Sequence, residues 1–210
     1  MLFEQGQRVV FIGDSITDCG RRDAFFPLGN GYVSMVANLV TAKYPGLGVD
    51  VINKGIAGNT VVDLENRWDL DALGENPDWL SIKIGINDVW KTYARAGHPL
   101  AVPLDLYEQT YRKLLKTTKE RSDCKIIIIE PFLIEPDLDD EMRGHAADYA
   151  DVARELAGEF ATIHLKTQDL IDRLLASTVP TNLMTPKTDI LIWGSDRVDR
   201  KSTRLNSSHT

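Results

Sequence analysis

Cysteine is scarce in this sequence. Cys19 and Cys124 are the only two among 210 residues, and neither belongs to a CxxC pair. This scarcity excludes the disulfide framework of a small secreted protein and argues against a cysteine-based zinc site. Two isolated thiols are typical of a reducing compartment, so we expect a cytoplasmic protein. We also expect neither a metal ion nor an organic cofactor.

Positive charge is also in short supply, and no basic cluster occurs. Lys and Arg number 24 against 31 Asp and Glu, so the formal net charge is -7. This balance argues against nucleic acid or an anionic membrane as a partner. The segment Met1–Gln5 contains no basic residue, and the first apolar run is too short for an export signal or a membrane span. We therefore expect no export and a small, neutral substrate.

Strand-like and helix-like segments alternate along the chain. Apolar segments rich in β-branched residues predict strands at Arg8–Ile12, Val49–Ile52, Trp79–Ile84, Lys125–Ile129 and Ala161–Leu165. The segments between them predict helices, among them Leu104–Lys119 and Asp139–Glu159. A chain of this length can bury a substantial core as one domain. We therefore predict an α/β fold, a three-layer α/β/α sandwich around a five-stranded parallel sheet.

The first predicted strand runs into Gly13-Asp14-Ser15. Gly13 interrupts the strand and helix-compatible residues follow, so Ser15 is expected where a strand passes into a helix. Ligands of open parallel sheets bind outside the carboxyl ends of the strands, where a side chain also faces the positive end of the next helix. Ser15 is therefore a candidate nucleophile. The alternative is that Gly-Asp-Ser forms only a turn with a capping residue.

Two further turns that contain glycine follow predicted strands. Asn53–Thr60 comes after the second strand, and Gly85–Asp88 comes after the third. Because the carboxyl ends of parallel strands meet at one edge, we expect the three turns to converge. Gly58 and Asn87 are the candidate site residues here, with a turn glycine and an asparagine cap as the alternatives. The residues expected to cap or orient these turns are Asp14, Thr17, Thr60 and Asp88.

Taken together, Gly13–Asp18, Asn53–Thr60 and Gly85–Asp88 resemble, in order and spacing, the successive motifs of the SGNH, or GDSL, hydrolase family. The residues of these motifs are most similar to those of the acetyl xylan esterase branch, and the likeness extends from about Arg8 to Val198. The resemblance implies the flavodoxin-like SGNH hydrolase fold. It also implies a reaction that needs no cofactor.

The resemblance implies a role for each candidate residue. Ser15 would attack an ester carbonyl and form an acyl-enzyme that water later hydrolyses. The backbone N–H of Ser15, the N–H of Gly58 and the side-chain amide of Asn87 would donate to the oxyanion. Loss of one such donor typically costs about 3 kcal/mol. Asp196 would orient the histidine base.

The sequence departs from the family pattern near its end. The family places a histidine base three residues after the aspartate, but Asp199 stands at that position here. Residues 199–210 resemble the translation of a sequencing adapter, so the expected domain is 1–198, without the family's final histidine and C-terminal helix, followed by a non-native-looking tail. A missing base typically costs about 10⁶-fold in kcat. His98 and His209 are the surrogate bases to consider.

Two functions of different classes remain open. The first is a serine esterase that removes small acyl groups, acetyl above all, from carbohydrate such as acetylated xylo-oligosaccharides; Trp90 would either stack on a sugar or pack in the core. The second is a silent scaffold that binds the ester or oligosaccharide without turnover. A flavodoxin-like nucleotide binder has less support, because no glycine-rich phosphate fingerprint follows any strand. Loss of the final helix would expose an apolar patch, so a homo-oligomer is expected.

Overall fold

The computed structural model describes residues 2–94 and 97–178. Within these ranges one sheet is formed by β1 (Arg8–Gly13), β2 (Asp50–Gly55), β3 (Trp79–Lys83), β4 (Lys125–Ile129) and β5 (Ile163–Leu165). All neighbouring strands are parallel, and their order is β2-β1-β3-β4-β5. This is the strand order of flavodoxin-like, doubly wound sheets. The predicted fold class is confirmed.

Helices connect the strands. The α-helices of the described ranges are α1 (Ser15–Asp18), α2 (Tyr32–Lys43), α3 (Val61–Asp71), α4 (Ile86–Val89), α5 (Leu104–Arg121), α6 (Glu141–Phe160) and α7 (Thr167–Thr178). Shorter helical turns lie at Pro45–Leu47, at Leu73–Glu75 and, in π-helical form, at Trp90–Ala94. No helix in this part of the chain is both long and apolar enough to cross a membrane.

The sheet separates two apolar clusters. Successive side chains of a strand point to opposite faces, so Val10 and Ile12 lie on one face of β1 while Val9 and Phe11 lie on the other. The first face packs against buried side chains of α3, α5 and α6. The second face packs against α2 through Val33 and neighbouring residues. Helices therefore cover both faces, as a three-layer sandwich requires.

The elements lie where the sequence predicts them, with differences at their ends. β2 continues to Gly55 instead of stopping at Ile52, because its pairing with β1 extends that far. The added segment includes the buried polar residue Asn53, whose Nδ2 donates to the carbonyls of Thr17 at 2.7 Å and Leu28 at 2.8 Å. These bonds offset the cost of burying an amide in a strand. β5 is shorter than expected and begins at Ile163.

α1 sits directly on the ends of β1 and β2. A Cβ atom added at Gly55 would lie 2.2 Å from the Asp18 nitrogen, and one added at Gly13 would lie 2.2 Å from the Lys83 carbonyl oxygen. The atoms in the way belong to the backbone, so they cannot rotate aside as a flexible side chain can. Gly55 is therefore a condition for the close approach of the short helix that begins with Ser15, and Gly13 is a condition for the close approach of β1 to the end of β3.

We predict that Gly55→Ala destabilises the protein by about 1–3 kcal/mol or more, because the new methyl group overpacks the contact with α1. Gly144→Ala is the matched control. Gly144 lies in α6 with no other atom within 4 Å of an added Cβ, so alanine there should stabilise the helix by roughly 0.5–1 kcal/mol. The free energy of unfolding in urea measures both effects. Equal stability of Gly55→Ala and wild type would contradict the close approach.

Candidate active site

Three loops leave the carboxyl edge of the sheet side by side. Gly13 at the end of β1 is in register with Gly55 at the end of β2 and with Lys83 at the end of β3. The loops after these strands therefore start at the same level. The Ile56 N–H donates to the Gly13 carbonyl at 3.0 Å, which ties the second loop to the first. The three turns lie beside one another, as their positions after adjacent strands lead one to expect.

Ser15 is the first residue of α1 and is half-buried. Asp14 is the N-cap of this helix, and its Oδ1 accepts a hydrogen bond from the Ile16 N–H at 2.9 Å. A helix leaves its first N–H groups without acceptors inside the helix, so the Ser15 N–H can serve an acceptor in front of the helix. Cys19 closes α1 in the left-handed conformation with φ 42°. The expected passage from strand to helix at Ser15 is present, with Asp14 as its cap.

A buried ion pair stands next to this turn. Lys83 Nζ is 3.3 Å from Asp14 Oδ2, and neither side chain is more than 1% exposed. The Lys83 ammonium also lies 5.1 Å from the centre of the Phe132 ring. Burial lowers the pKa of Lys83, while the Asp14 carboxylate opposes this change. The ion pair fixes the capping carboxylate beside Ser15, at the cost of removing two charges from water.

Gly58 occupies an exposed turn in the second loop. The Asn59 N–H donates to the Ile56 carbonyl at 3.2 Å, which makes Gly58 the third residue of a β-turn. Its φ of 81° suits the position that requires a positive φ in a type II turn, and glycine adopts it without strain. The turn itself uses the Asn59 N–H and leaves the Gly58 N–H for another acceptor. Lys91 Nζ donates to the Gly58 carbonyl at 3.0 Å and holds the turn in place.

The side chain of Asn87 bridges the second and third loops. Asn87 lies in α4 and is half-buried, and its Nδ2 donates to the carbonyl of Asn59 at 2.9 Å. A carboxamide nitrogen carries two N–H donors, so one remains for a ligand after this bond is made. The bond places the Asn87 amide against Asn59, the residue that follows Gly58 in the second loop. The two candidate residues are thereby linked through Asn59.

Asp88 ties the third loop to α3. Its side chain is fully buried, and its Oδ1 accepts a hydrogen bond from the Val61 N–H at 2.9 Å. The other carboxyl oxygen has no hydrogen-bond partner among the described residues. Burial raises the pKa of Asp88 to about 7, against the hydrogen bond from Val61, which lowers it. The orienting role expected for Asp88 agrees with this contact, and Thr60 forms the expected capping box with Asp63 at the start of the same helix.

No histidine of the described ranges hydrogen-bonds to the Ser15 hydroxyl. The three imidazoles there have other contacts: His98 Nδ1 accepts from the Leu100 N–H at 3.0 Å, His145 stacks on Tyr93 at 3.6 Å between ring centres, and His164 Nε2 lies 2.8 Å from Glu130 Oε1. Asp196, Asp199 and His209 lie outside the described residues. No group of three or more His, Cys, Asp or Glu residues in the described ranges could hold a metal ion.

The sequence model of the GDSL-like lipase/acylhydrolase family matches residues 11–182. The chain belongs to this family. An acetylxylan esterase from Geobacillus stearothermophilus is 43% identical over 192 residues, which cover 87% of this chain and 86% of that protein. The chain is therefore similar along most of its length to a carboxylic ester hydrolase.

Solved structures agree with this assignment to the GDSL-like family. A crystal structure of an acetylxylan esterase from Geobacillus stearothermophilus superimposes with a TM-score of 0.80 at 42% identity, over 89% of this chain and 90% of that chain. An alpha/beta hydrolase enzyme from the metagenome of Lake Arreo superimposes with a TM-score of 0.79 at 33% identity, over 88% and 87% of the two chains. Three solved variants of the Geobacillus esterase are described as catalytic mutants and carry alanine in place of a serine, an aspartate and a histidine.

Sequence reasoning about this GDSL-like chain missed two basic residues at the sheet edge. Lys83 stands in an apolar strand, which by itself signals a buried ion pair. Arg67 lies one helical turn after Leu64 and next to Trp68, on the side of α3 that faces the core. A charged residue on an apolar helix face indicates a specific partner. The sequence does not identify the partners of Lys83 and Arg67, because most of them lie on other strands and loops, far away along the chain.

We predict that Asp88→Asn removes a pH dependence of stability. A carboxyl group with a folded-state pKa of about 7 stays protonated in the folded protein while the unfolded chain loses its proton near pH 4. The folded state then binds more protons, so the wild-type protein loses stability as pH rises through this window. As the pH is raised from about 5 to about 8, the unfolding free energy of the wild type should therefore fall by roughly 3 kcal/mol relative to that of Asp88→Asn.

Urea unfolding at several pH values tests this prediction. The exposed residue Asp69, changed to Asn, serves as the matched control and should leave the pH profile as it is in the wild type. A parallel pH dependence for Asp88→Asn and the wild type would show that Asp88 does not titrate in this window.

Proposed function

We propose that this chain is a serine esterase that removes small acyl groups, acetyl above all, from carbohydrate such as acetylated xylo-oligosaccharides. Ser15 is the nucleophile. The observation that carries the proposal is the bond from Asn87 Nδ2 to the Asn59 carbonyl, which brings the second and third loops together at the strand ends beside Ser15. The relative from Geobacillus, named as an acetylxylan esterase, supports the same substrate class.

The reaction begins when the Ser15 hydroxyl attacks the ester carbonyl. The carbonyl oxygen becomes an oxyanion, which accepts hydrogen bonds from the Ser15 N–H, the Gly58 N–H and the free N–H of Asn87 Nδ2. Such fixed donors stabilise the transition state by about 3 kcal/mol each because they need no reorganisation when charge develops. Collapse of this intermediate breaks the bond between the carbonyl carbon and the sugar oxygen, which takes up the proton that the Ser15 hydroxyl gave up, and leaves an acyl group on Ser15. Water then attacks the acyl-enzyme and releases the acid.

Asp196 is proposed as the residue that orients the base. In the Geobacillus esterase the aspartate and the histidine of the catalytic mutants lie three positions apart. In this chain the residue three positions after Asp196 is Asp199. A carboxylate is ordinarily a much weaker base than an imidazole near neutral pH, so it is a poor acceptor for the serine proton. We propose that this substitution lowers turnover strongly.

The second candidate function follows from the same positions. With Asp199 in place of the histidine, and with none of the described histidines in contact with the Ser15 hydroxyl, the scaffold would bind an ester or an acetylated oligosaccharide without turning it over. The donors on the first three loops do not depend on the base. Ligand binding without product formation would distinguish this function from the esterase.

Further parts of the proposal concern the surroundings of the protein. Trp90 is half-buried at the start of the π-helical turn after Asn87, and we propose that its ring stacks on the sugar. Cys19 and Cys124 are both free thiols, in keeping with a cytoplasmic location. Met35 and Leu39, one turn apart on α2, are 60% and 69% exposed and are compatible with self-association. Location and assembly stay predictions.

We predict that Ser15→Ala reduces hydrolysis of p-nitrophenyl acetate to the uncatalysed background. Ser34→Ala is the matched control, because Ser34 is a half-buried serine in α2 whose hydroxyl donates to the Gly31 carbonyl. Release of p-nitrophenol, followed by absorbance, should be the same for Ser34→Ala and wild type. Turnover of the wild type above background that is fully kept in Ser15→Ala would remove Ser15 from its role.

We predict that Asp199→His raises kcat for p-nitrophenyl acetate by several orders of magnitude, up to about 10⁶-fold if a missing base is the sole defect. Asp199→Asn, which removes the charge without supplying a base, is the control and should not raise the rate. The increase should require Ser15, so Ser15→Ala in the Asp199→His background should abolish it. An unchanged rate in Asp199→His would contradict the explanation by a missing base.

A further inference from the structure

A single arginine side chain connects the ends of β1 and β2 with the second loop. Arg67 projects from α3 and is 13% exposed. Its Nη2 donates to the Gly13 carbonyl at 3.1 Å, and its Nη1 donates to the Lys54 carbonyl at 2.8 Å. Its Nε donates to Asn59 Oδ1 at 2.9 Å. The guanidinium group therefore contacts three segments that carry or precede candidate site residues.

Asn59 continues this network to the third loop. Its side-chain oxygen accepts from Arg67, and its backbone carbonyl accepts from Asn87 Nδ2 at 2.9 Å. Asn59 is also the residue directly after Gly58. A displacement of Asn59 would therefore move the Gly58 turn and the Asn87 amide together.

The first loop belongs to the same network. Gly13, whose carbonyl accepts from Arg67, is separated from Ser15 only by the capping residue Asp14. The same carbonyl accepts from the Ile56 N–H of the second loop. Arg67 thus contacts the nucleophile loop directly and the Asn87 amide through Asn59.

The charge of Arg67 is compensated locally. Its Nη1 lies 2.9 Å from Asp71 Oδ2, four residues on along α3. Burial lowers the pKa of Arg67, and the bond to Asp71 opposes the change. A guanidinium is so weakly acidic that arginine keeps its charge and its N–H donors in proteins. The planar fork of a guanidinium reaches several acceptors in fixed directions, which a lysine ammonium cannot do.

We propose that Arg67 is a positioning residue for the esterase reaction. It sets the Gly58–Asn59 turn against the end of β1, so that the Gly58 N–H and the Asn87 amide converge on the carbonyl oxygen attacked by Ser15. This inference rests on the proposed function. Arg67 touches no reacting atom and acts through Asn59.

The test compares Arg67→Lys and Arg67→Ala with Arg143→Ala. Arg143 is the matched control because it is also 13% exposed and also pairs with an aspartate, Asp172, but it joins α6 to α7 and the Glu135 carbonyl. Misplaced groups around a reacting centre cost on the order of 100-fold in rate. We expect kcat for p-nitrophenyl acetate to fall about 10- to 100-fold in both Arg67 variants, with KM nearly unchanged. Arg143→Ala should keep the wild-type kcat.

Two further readouts separate positioning from general stability. Millimolar guanidinium chloride should restore part of kcat in Arg67→Ala, because the free ion can occupy the vacated site, and it should not restore Ser15→Ala. The side-chain amide protons of Asn87, followed by NMR, should exchange faster with solvent in Arg67→Lys than in Arg143→Ala. This second readout does not require turnover.

The outcomes are distinguishable. Wild-type kcat and wild-type exchange of the Asn87 amide in the Arg67 variants would overturn the positioning role. Loss of kcat in proportion to a loss of thermal stability, with no rescue and unchanged exchange, would also overturn it. Full activity of Ser15→Ala would instead refute the proposed function, whatever the Arg67 variants do. Faster exchange at Asn87 without measurable turnover in the wild type supports the positioning role in a silent scaffold.

Discussion

The parallel register of the three adjacent strands β2, β1 and β3 is the constraint on which the site depends. It places the last residues of the three strands, Gly13, Gly55 and Lys83, side by side. The loops that follow these residues therefore begin next to one another. A side chain has no room at either strand end, because Gly13 lies against the Lys83 carbonyl of β3 and the Thr17 hydroxyl, and Gly55 lies against the backbone of α1. The helix that begins with Ser15 can pack on these strand ends because β1 and β2 both end in glycine. The loops carry the proposed reactive groups, and the strands determine the positions of these groups.

Buried charged and polar side chains hold these loops in place. Lys83 neutralises the capping carboxylate of Asp14, Asp88 accepts from the start of α3, and Arg67 donates to two strand ends and to Asn59. Removing such groups from water costs stability, so these contacts are weak evidence for a stable fold. Their main effect is to orient the loops, because a charged hydrogen bond in a site without water is strong only in a narrow range of geometries. These contacts lower the net stability of the fold but hold the hydrogen-bond donors at the sheet edge in fixed directions.

The proposed reaction divides into two parts that lie in different regions of the chain. The nucleophile and the donors belong to the first three strand-end loops, between Gly13 and Asp88. The aspartate proposed to orient a base, Asp196, belongs to the last part of the sequence, where Asp199 stands three positions later at the place of the family's histidine. In the described part of the chain, Asn87 Nδ2 donates to the Asn59 carbonyl and Lys91 Nζ donates to the Gly58 carbonyl, so the loops that carry the donors are joined to one another. Fixed donors and a working base are therefore separate requirements of the proposed reaction.

Local sequence was enough to predict the alternation of strands and helices, the parallel sheet, the capping residues Asp14 and Thr60, and the three turns that meet at one edge. These features depend on patterns within a few residues, such as apolar periodicity, glycine at strand ends and capping side chains. Only the tertiary structure decided that β2 runs on to Gly55, that Leu39 is exposed, and that Arg67 and Lys83 belong to the edge of the site. Their partners lie far along the sequence. A charged residue in an apolar segment indicates that a buried partner exists but does not identify it, so the bond itself becomes visible only when the packed strands bring donor and acceptor together.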